Sequence, residues 1–234
     1  MMNKIQGGSP QPFVRVGLVA YRDRGDEYVT KTFPLTSDIN GIKENVRQLV
    51  ANGGGDTPES VNEALHTGIY NMNWSANRNA KKLMFLIGDA PPHTDYPQDF
   101  DFRADLAYAK TQGIKLHTWG CSGIVEGYQP YFKEMADITG GDYQLLTYQR
   151  QVKGADGREH SVVLQGDSAY EVTDSTADWK VGADRLGSKA CKPASRCYEE
   201  SIKFDHDSTT LKNNLDRVLV EQVQCEAKKA GVSY

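Results

Sequence analysis

The sequence predicts an α/β protein: a doubly wound, mostly parallel sheet, followed by a loop-rich extension that ends in a helix. Three observations carry that expectation. Leu83, Met84, Phe85, Leu86 and Ile87 form an unbroken apolar run bounded by Lys82 and Gly88, as in a strand buried on both faces. Runs of this kind alternate along the chain with stretches whose apolar residues recur at helical spacing. Asp89 follows its strand at once, on the stiff Ala90-Pro91-Pro92 turn, where an open α/β sheet keeps its ligand site.

Taken in order, Met1 to Gln6 read as the tail of a helix that stops on Gly7 and Gly8. Residues 14–21 form an apolar strand, and Arg22, Asp23, Arg24, Gly25 and Asp26 a charged turn. Residues 28–35 alternate as an edge strand, where Pro34 is tolerated. Ser37 or Asp38 caps a helix over 39–51, with Ile42, Val46, Leu49 and Val50 on one face. The glycines at 53–55 make a flexible loop. Pro58 then suits the first helical position and Glu59 the positive end of the helix dipole. The next helix carries Val61, Leu65, Ile69 and Met72 on one stripe, with His66 beside it as a packed or surface histidine. Beyond Asp89 come a helix over 102–112 closed by Gly113, a strand over 115–121 left through Ser122 and Gly123, a helix over 128–139 stopped by Gly140, and a short strand over 143–148. Strands and helices at this spacing give right-handed crossovers.

From Gln149 the character changes: Gly, Asp and Ser become frequent, and only 161–164 and 170–173 look like strands, with a hairpin between them. A last helix over 213–229 places Leu215, Val218, Leu219 and Gln222 on one face. Two units follow, residues 1–147 and 148–234. A net charge of −4 with both signs well mixed argues against a nucleic-acid surface. No apolar run approaches the roughly 18 residues of a membrane span.

The residues that carry chemistry lie in two loops. Thr57, on the glycine loop, and Asp89, at the strand end, form an oxygen-only pair suited to Mg²⁺ or Mn²⁺ rather than zinc. With the wording Gly-Asp-Thr-Pro-Glu (55–59) and Gly-Asp-Ala-Pro-Pro-His (88–93), this part of the chain resembles the von Willebrand factor A domain, bacterial type, over about residues 1–147. The resemblance implies a Rossmann-like fold and a metal-ion-dependent adhesion site. In that site Thr57 matches the loop threonine and Asp89 the late aspartate. The family's first strand, which ends in Asp-x-Ser-x-Ser and lies between the strands at 14–21 and 83–87, is expected before Met1. Two explanations stand open: a chain begun at an internal methionine, or one that borrows a strand from a partner.

The resemblance implies binding rather than catalysis. A metal with one open position is engaged by a partner protein's Asp or Glu, and surrounding loops set specificity, here through Asp56, Glu59, His93, Asp95 and Ser122. With Asp-x-Ser-x-Ser missing, Thr57 and Asp89 are expected to hold Mg²⁺ or Mn²⁺ weakly. The alternative is a metal-assisted hydrolase using Asp89, His93 and Asp95. No Gly-x-Ser-x-Gly nucleophile elbow surrounds Ser122, and no phosphate-binding Gly-Lys-Ser/Thr follows the glycine loop. Cys191 and Cys197 enclose a short loop that a disulfide could close; such a bond implies an oxidising, extracytoplasmic compartment. Residues 202–209 run through Asp205, Asp207 and Thr209 and faintly imitate the missing motif, but read more simply as the approach to the last helix.

Overall fold

A computed structural model describes residues 2–53, 55–121, 124–153, 156–173, 178–181, 183–186, 190–192 and 212–234. Ser122, Cys197 and the stretch 202–209 lie outside the described residues. Among those described, no helix is long and apolar enough to cross a membrane.

A short helix, α1 (Met2–Gln6), precedes β1 (Val16–Tyr21) and β2 (Thr30–Thr36). These two strands pair antiparallel, and the register slips between Val16 and Leu18. Pro34 falls opposite that slip, so its missing N–H costs little in the ladder. Gly17 sits in the same irregularity; a Cβ there would lie 2.4 Å from Met72 Cε and 2.9 Å from the Phe33 carbonyl. Helix α2 (Ile39–Arg47) starts where Asp38 accepts from the Gly41 N–H at 2.9 Å. It ends earlier than expected. Of its expected apolar face Ile42 is buried, whereas Val46 and Val50 are 48% and 69% exposed.

The parallel part consists of β3 (Lys82–Gly88), β4 (Ile114–Gly120) and β5 (Tyr143–Leu145), ordered β3-β4-β5. Helices α3 (Val61–Tyr70), α4 (Phe102–Thr111) and α5 (Gln129–Thr139) share one core with it: Val61, Leu65, Leu106 and Phe132 pack with Leu86 and Leu116. The stop signals work as expected, with Gly113 and Gly140 both at positive φ. On the other face, Trp119, Leu146 and Phe85 meet Val218, Leu215 and Leu219 of α6 (Leu215–Lys229). The expected α/β class and its alternating elements are thus present. Among the described residues, parallel pairing of strands is confined to this sheet.

The strands at 14–21 and 83–87 are expected to pair or to flank the gap left by the family's first strand; they do not pair, and the burial expected of 83–87 falls short. The run 83–87 was expected to be central and buried on both faces. Instead β3 ends its sheet, Leu86 is buried, and Ile87 is 39% exposed. Strand β1 ends its own sheet too, half-buried along its whole length. The two strands belong to separate sheets, and Tyr21 reaches across from one to the other, its hydroxyl donating to the Ile87 carbonyl at 3.3 Å. Apolar strands without a neighbour on one edge stay partly wet, and this explains the lost burial.

The region after Leu145 is also more regular than expected. Strand β6 (Thr147–Lys153) pairs along its whole length with β7 (Glu159–Gln165), which in turn pairs with β8 (Ser168–Glu171). A two-residue strand, β9 (Lys212–Asn213), closes the order β8-β7-β6-β9. The expected hairpin is β7–β8, but residues 149–153, expected to be irregular, are strand. Their own pattern is polar. They are recruited by β7, whose Val162, Val163 and Leu164 are buried on both faces. The end of the extension is tied to the first residues: Tyr234 donates to the Ile5 carbonyl at 3.0 Å, and Ser9 and Ser233 exchange both backbone hydrogen bonds. Cys191 is disulfide-bonded, while Cys121 and Cys225 form no disulfide.

Candidate functional site

The two loops singled out in the sequence are joined by their backbones. The Glu59 N–H donates to the Pro91 carbonyl at 3.0 Å, and the His93 N–H donates to the Glu59 carbonyl at 3.2 Å. Glu59 and Pro92 thereby form an isolated parallel bridge. Ser60 holds the N-cap position of α3 without capping it; its hydroxyl donates instead to Asp23 Oδ1 at 2.8 Å. This ties the loop before α3 to the turn after β1. Three chain segments therefore meet where β1 and β3 end.

His93 is the hub. It is 1% exposed, stacked 3.7 Å from the Tyr96 ring. Its Nδ1 lies 2.8 Å from Asp95 Oδ1 and its Nε2 lies 3.3 Å from Asp23 Oδ2 and 3.9 Å from Asp56 Oδ1. Tyr96 donates to the same Asp23 oxygen at 2.7 Å. Arg24 lies over the Tyr96 ring at 4.4 Å and pairs with Asp99, which also accepts from Asn62. Burial works against a charge on His93, but Asp95 and Asp23 outweigh it and raise its pKa. Burial likewise opposes ionisation of Asp23; hydrogen bonds from Tyr96, Ser60 and the Arg24 N–H overcome it and lower its pKa.

Negative charge is in excess here. Burial first, then Asp23, Asp89 and Asp26, push Glu59 up to about 7. One oxygen each from Asp23 and Asp56 and one nitrogen of His93 lie within 4.8 Å of one another, a group that could hold a metal ion. Ligand atoms bound at about 2.1 Å sit roughly 3.0 to 3.4 Å apart, so the 3.3 Å spacing of His93 and Asp23 already suits a shared ion. The donor set is oxygen-rich with one imidazole, which suits Mn²⁺ or Zn²⁺ better than Mg²⁺.

Of the residues expected at the site, Asp56, His93 and Asp95 come together, and Glu59 stands on the strap that joins their loops. Asp89 and Thr57 are exposed on the same two loops. Asp89 is near enough to act on both Glu59 and Tyr21, and stands outside the Asp23–Asp56–His93 group. In the sequence Asp23 reads only as part of the charged turn 22–26. Its one local signal is position: it lies two residues past the end of the apolar strand β1, as Asp89 lies just past β3. Of the alternative set Asp89, His93 and Asp95, His93 and Asp95 are in contact at 2.8 Å, and both His93 ring nitrogens face carboxylates.

Compared with known protein families, residues 1–149 match the von Willebrand factor type A domain. Among solved structures, BatB from Bacteroides thetaiotaomicron, a conserved hypothetical protein, is 16% identical, covering 57% of this chain and 71% of that one, with a TM-score of 0.44. An uncharacterized membrane spanning protein from Vibrio fischeri is 22% identical, covering 56% of this chain and 67% of that one, with a TM-score of 0.25. No curated protein matches the chain.

Proposed function

We propose a protein-binding function for this chain, which belongs to the von Willebrand factor type A domain family. The observation that carries the reading is the convergence of Asp23, Asp56 and His93 at the strand ends, in a pocket of surplus negative charge. A divalent ion relieves that surplus and keeps open positions toward solvent. A partner's Asp or Glu completes the shell, so recognition is a charge-assisted metal–carboxylate contact rather than a reaction. Asp23 is held by Ser60 and Tyr96, and His93 by Asp95, so the buried half of the ligand set is oriented before the ion arrives. Asp56, exposed on the glycine loop, closes the set. Thr57 and Asp89 add oxygens from the same loops, while Glu59 and Asp95 belong to the rim that selects the partner.

Thr57 and Asp89 by themselves hold Mg²⁺ weakly. With an imidazole available, Mn²⁺ is the better occupant. A second mode of partner contact is favoured by the free edges of β1 and β3: a strand supplied by a partner pairs there and covers Ile87 and the half-buried face of β1.

Loss of the free Mn²⁺ electron paramagnetic signal on adding protein tests the metal reading. Mn²⁺ should be sequestered at neutral pH, Asp56→Asn should release it, and millimolar Mg²⁺ should compete poorly. A short Asp-containing peptide should perturb the bound-ion spectrum of the wild-type protein. Free Mn²⁺ signal left intact by equimolar protein, or a bound fraction indifferent to Asp56→Asn, would remove the basis of the proposal.

A further inference from the structure

We infer that Tyr96 is a fourth ligand at the Asp23–Asp56–His93 site, and that the completed set takes a hard trivalent ion, ferric iron. The inference rests on the metal reading of the proposed function and names the class of ion that the site holds most tightly. The phenol is already in place. Tyr96 Oη donates to Asp23 Oδ2 at 2.7 Å, and the same oxygen lies 3.3 Å from His93 Nε2. That nitrogen in turn lies 3.9 Å from Asp56 Oδ1. Donors bound at about 2.0 Å in an octahedral shell sit roughly 2.8 Å apart at right angles and about 4 Å apart across the ion. All three spacings lie in or at the edge of that range.

Two contacts prepare this phenol to bind an ion. Its ring is stacked on His93, 3.7 Å between centroids at 13°, so hydroxyl and imidazole approach the same point as one packed unit. The Arg24 guanidinium, held by Asp99 at 3.2 Å, lies over the ring at 4.4 Å. A permanent positive charge there favours the phenolate that coordination requires. In the free protein the hydrogen bond to Asp23, then burial and the charges of Asp23, Asp56 and Asp95, hold the proton on the phenol. A bound cation inverts that balance, and its pull on the oxygen grows with its charge. The step is a ligand exchange: a metal–Oη bond forms, a metal–water bond breaks, and the phenol proton leaves to solvent. The coordinated Nε2 of His93 carries no proton, and Nδ1–H stays with Asp95 at 2.8 Å. Two carboxylates, one phenolate and a neutral imidazole bring three negative charges. A trivalent ion balances them and a divalent ion does not, so hard anionic oxygens favour ferric iron. Asp56 stands on the solvent side, its side chain 60% exposed, and leaves positions there for water or a partner's carboxylate.

The test adds ferric nitrilotriacetate to the full chain. Iron bound through a phenolate absorbs visible light by charge transfer from ligand to metal. Such a band should grow with added iron and level off at one equivalent, and resonance Raman excitation within it should show tyrosinate vibrations. Tyr96→Phe keeps the ring on His93 and should lose the band, while it still sequesters Mn²⁺ as the wild type does. Mn²⁺ sequestered by the wild type with no ferric band overturns this inference and leaves the metal reading of the proposed function standing. Neither ion held overturns both. A band that survives in Tyr96→Phe assigns the phenolate to another tyrosine and overturns the inference. Loss of Mn²⁺ together with the band makes Tyr96 a support for Asp23 rather than a ligand, and overturns it too.

Discussion

Two polar regions of this molecule are built on opposite terms. At the carboxyl ends of β1 and β3, nearly every buried polar atom is tied, and the charge is out of balance: Asp23, Asp56, Glu59, Asp89 and Asp95 surround one imidazole. Under α6 Lys115 and Lys229 are offset by Glu226 and Asp142, and hydrogen bonds are left unfinished at His117 and Gln222. Surplus charge with complete hydrogen bonding calls for a cation; hydrogen bonds left unfinished in a buried place cost the fold stability.

The contrast predicts opposite signs for substitutions at the two places. His93→Ala removes a buried group that four side chains contact and leaves Asp23 without its counter-charge, so it should cost about 3 kcal/mol or more in denaturant unfolding. A cost below about 1 kcal/mol would mean that the hub is not structural, and the comparison would break at its firmest point. The next effect is on pH dependence. Glu59 has an unfolded value of 4.5 and a folded value of about 7. A raised pKa stabilises fully below the unfolded value and loses that contribution as pH rises through the folded one. His93, also raised, adds a loss in the same direction above its ordinary value of 6.5. Stability measured in chelator should therefore fall from pH 4.5 through neutrality, by about 2 kcal/mol for partly buried Glu59 after discounting for solvent screening. Glu59→Gln should flatten that part of the slope.

Under α6 the sign reverses. Gln222→Met deletes two orphaned atoms at constant volume and should stabilise the free protein by about 1 kcal/mol. A clear loss instead would show that Gln222 finds partners in solution and that the two regions are less different than described. The smallest effect is expected at the link between the sheets. Tyr21→Phe removes the hydroxyl that reaches the Ile87 carbonyl, and should cost less than about 1 kcal/mol because that oxygen can turn to water in the open edge. A larger cost would mean that Tyr21 holds β1 and β3 in place.

Local signals made most of the α/β part legible. Gly113, Gly140 and Asp38 mark helix ends by their own backbone chemistry, and the stripe Val61, Leu65, Ile69 and Met72 buries as its spacing requires. What depended on neighbours was less readable. The apolar run at β3 could not say how much burial an unpaired edge would cost it, and the polar residues of β6 gave no sign that β7 would order them. At the site, glycine and proline punctuation exposed Asp56 and His93. Asp23 stayed hidden because its role comes from Ser60 and Tyr96, 37 and 73 positions away.

The paired backbone bonds of Ser9 and Ser233, with Tyr234 fastened to Ile5, have a consequence for how the ends move. Chain termini ordinarily fray independently and exchange their amide hydrogens quickly. Here neither end can loosen without freeing the other, and α1 is seated against α6 through a buried Ile5 and the Gln224–Lys4 bond. The first nine residues and the last helix should therefore open as one cooperative unit, with the Ser9 and Ser233 amides sharing a single opening free energy in native-state hydrogen exchange.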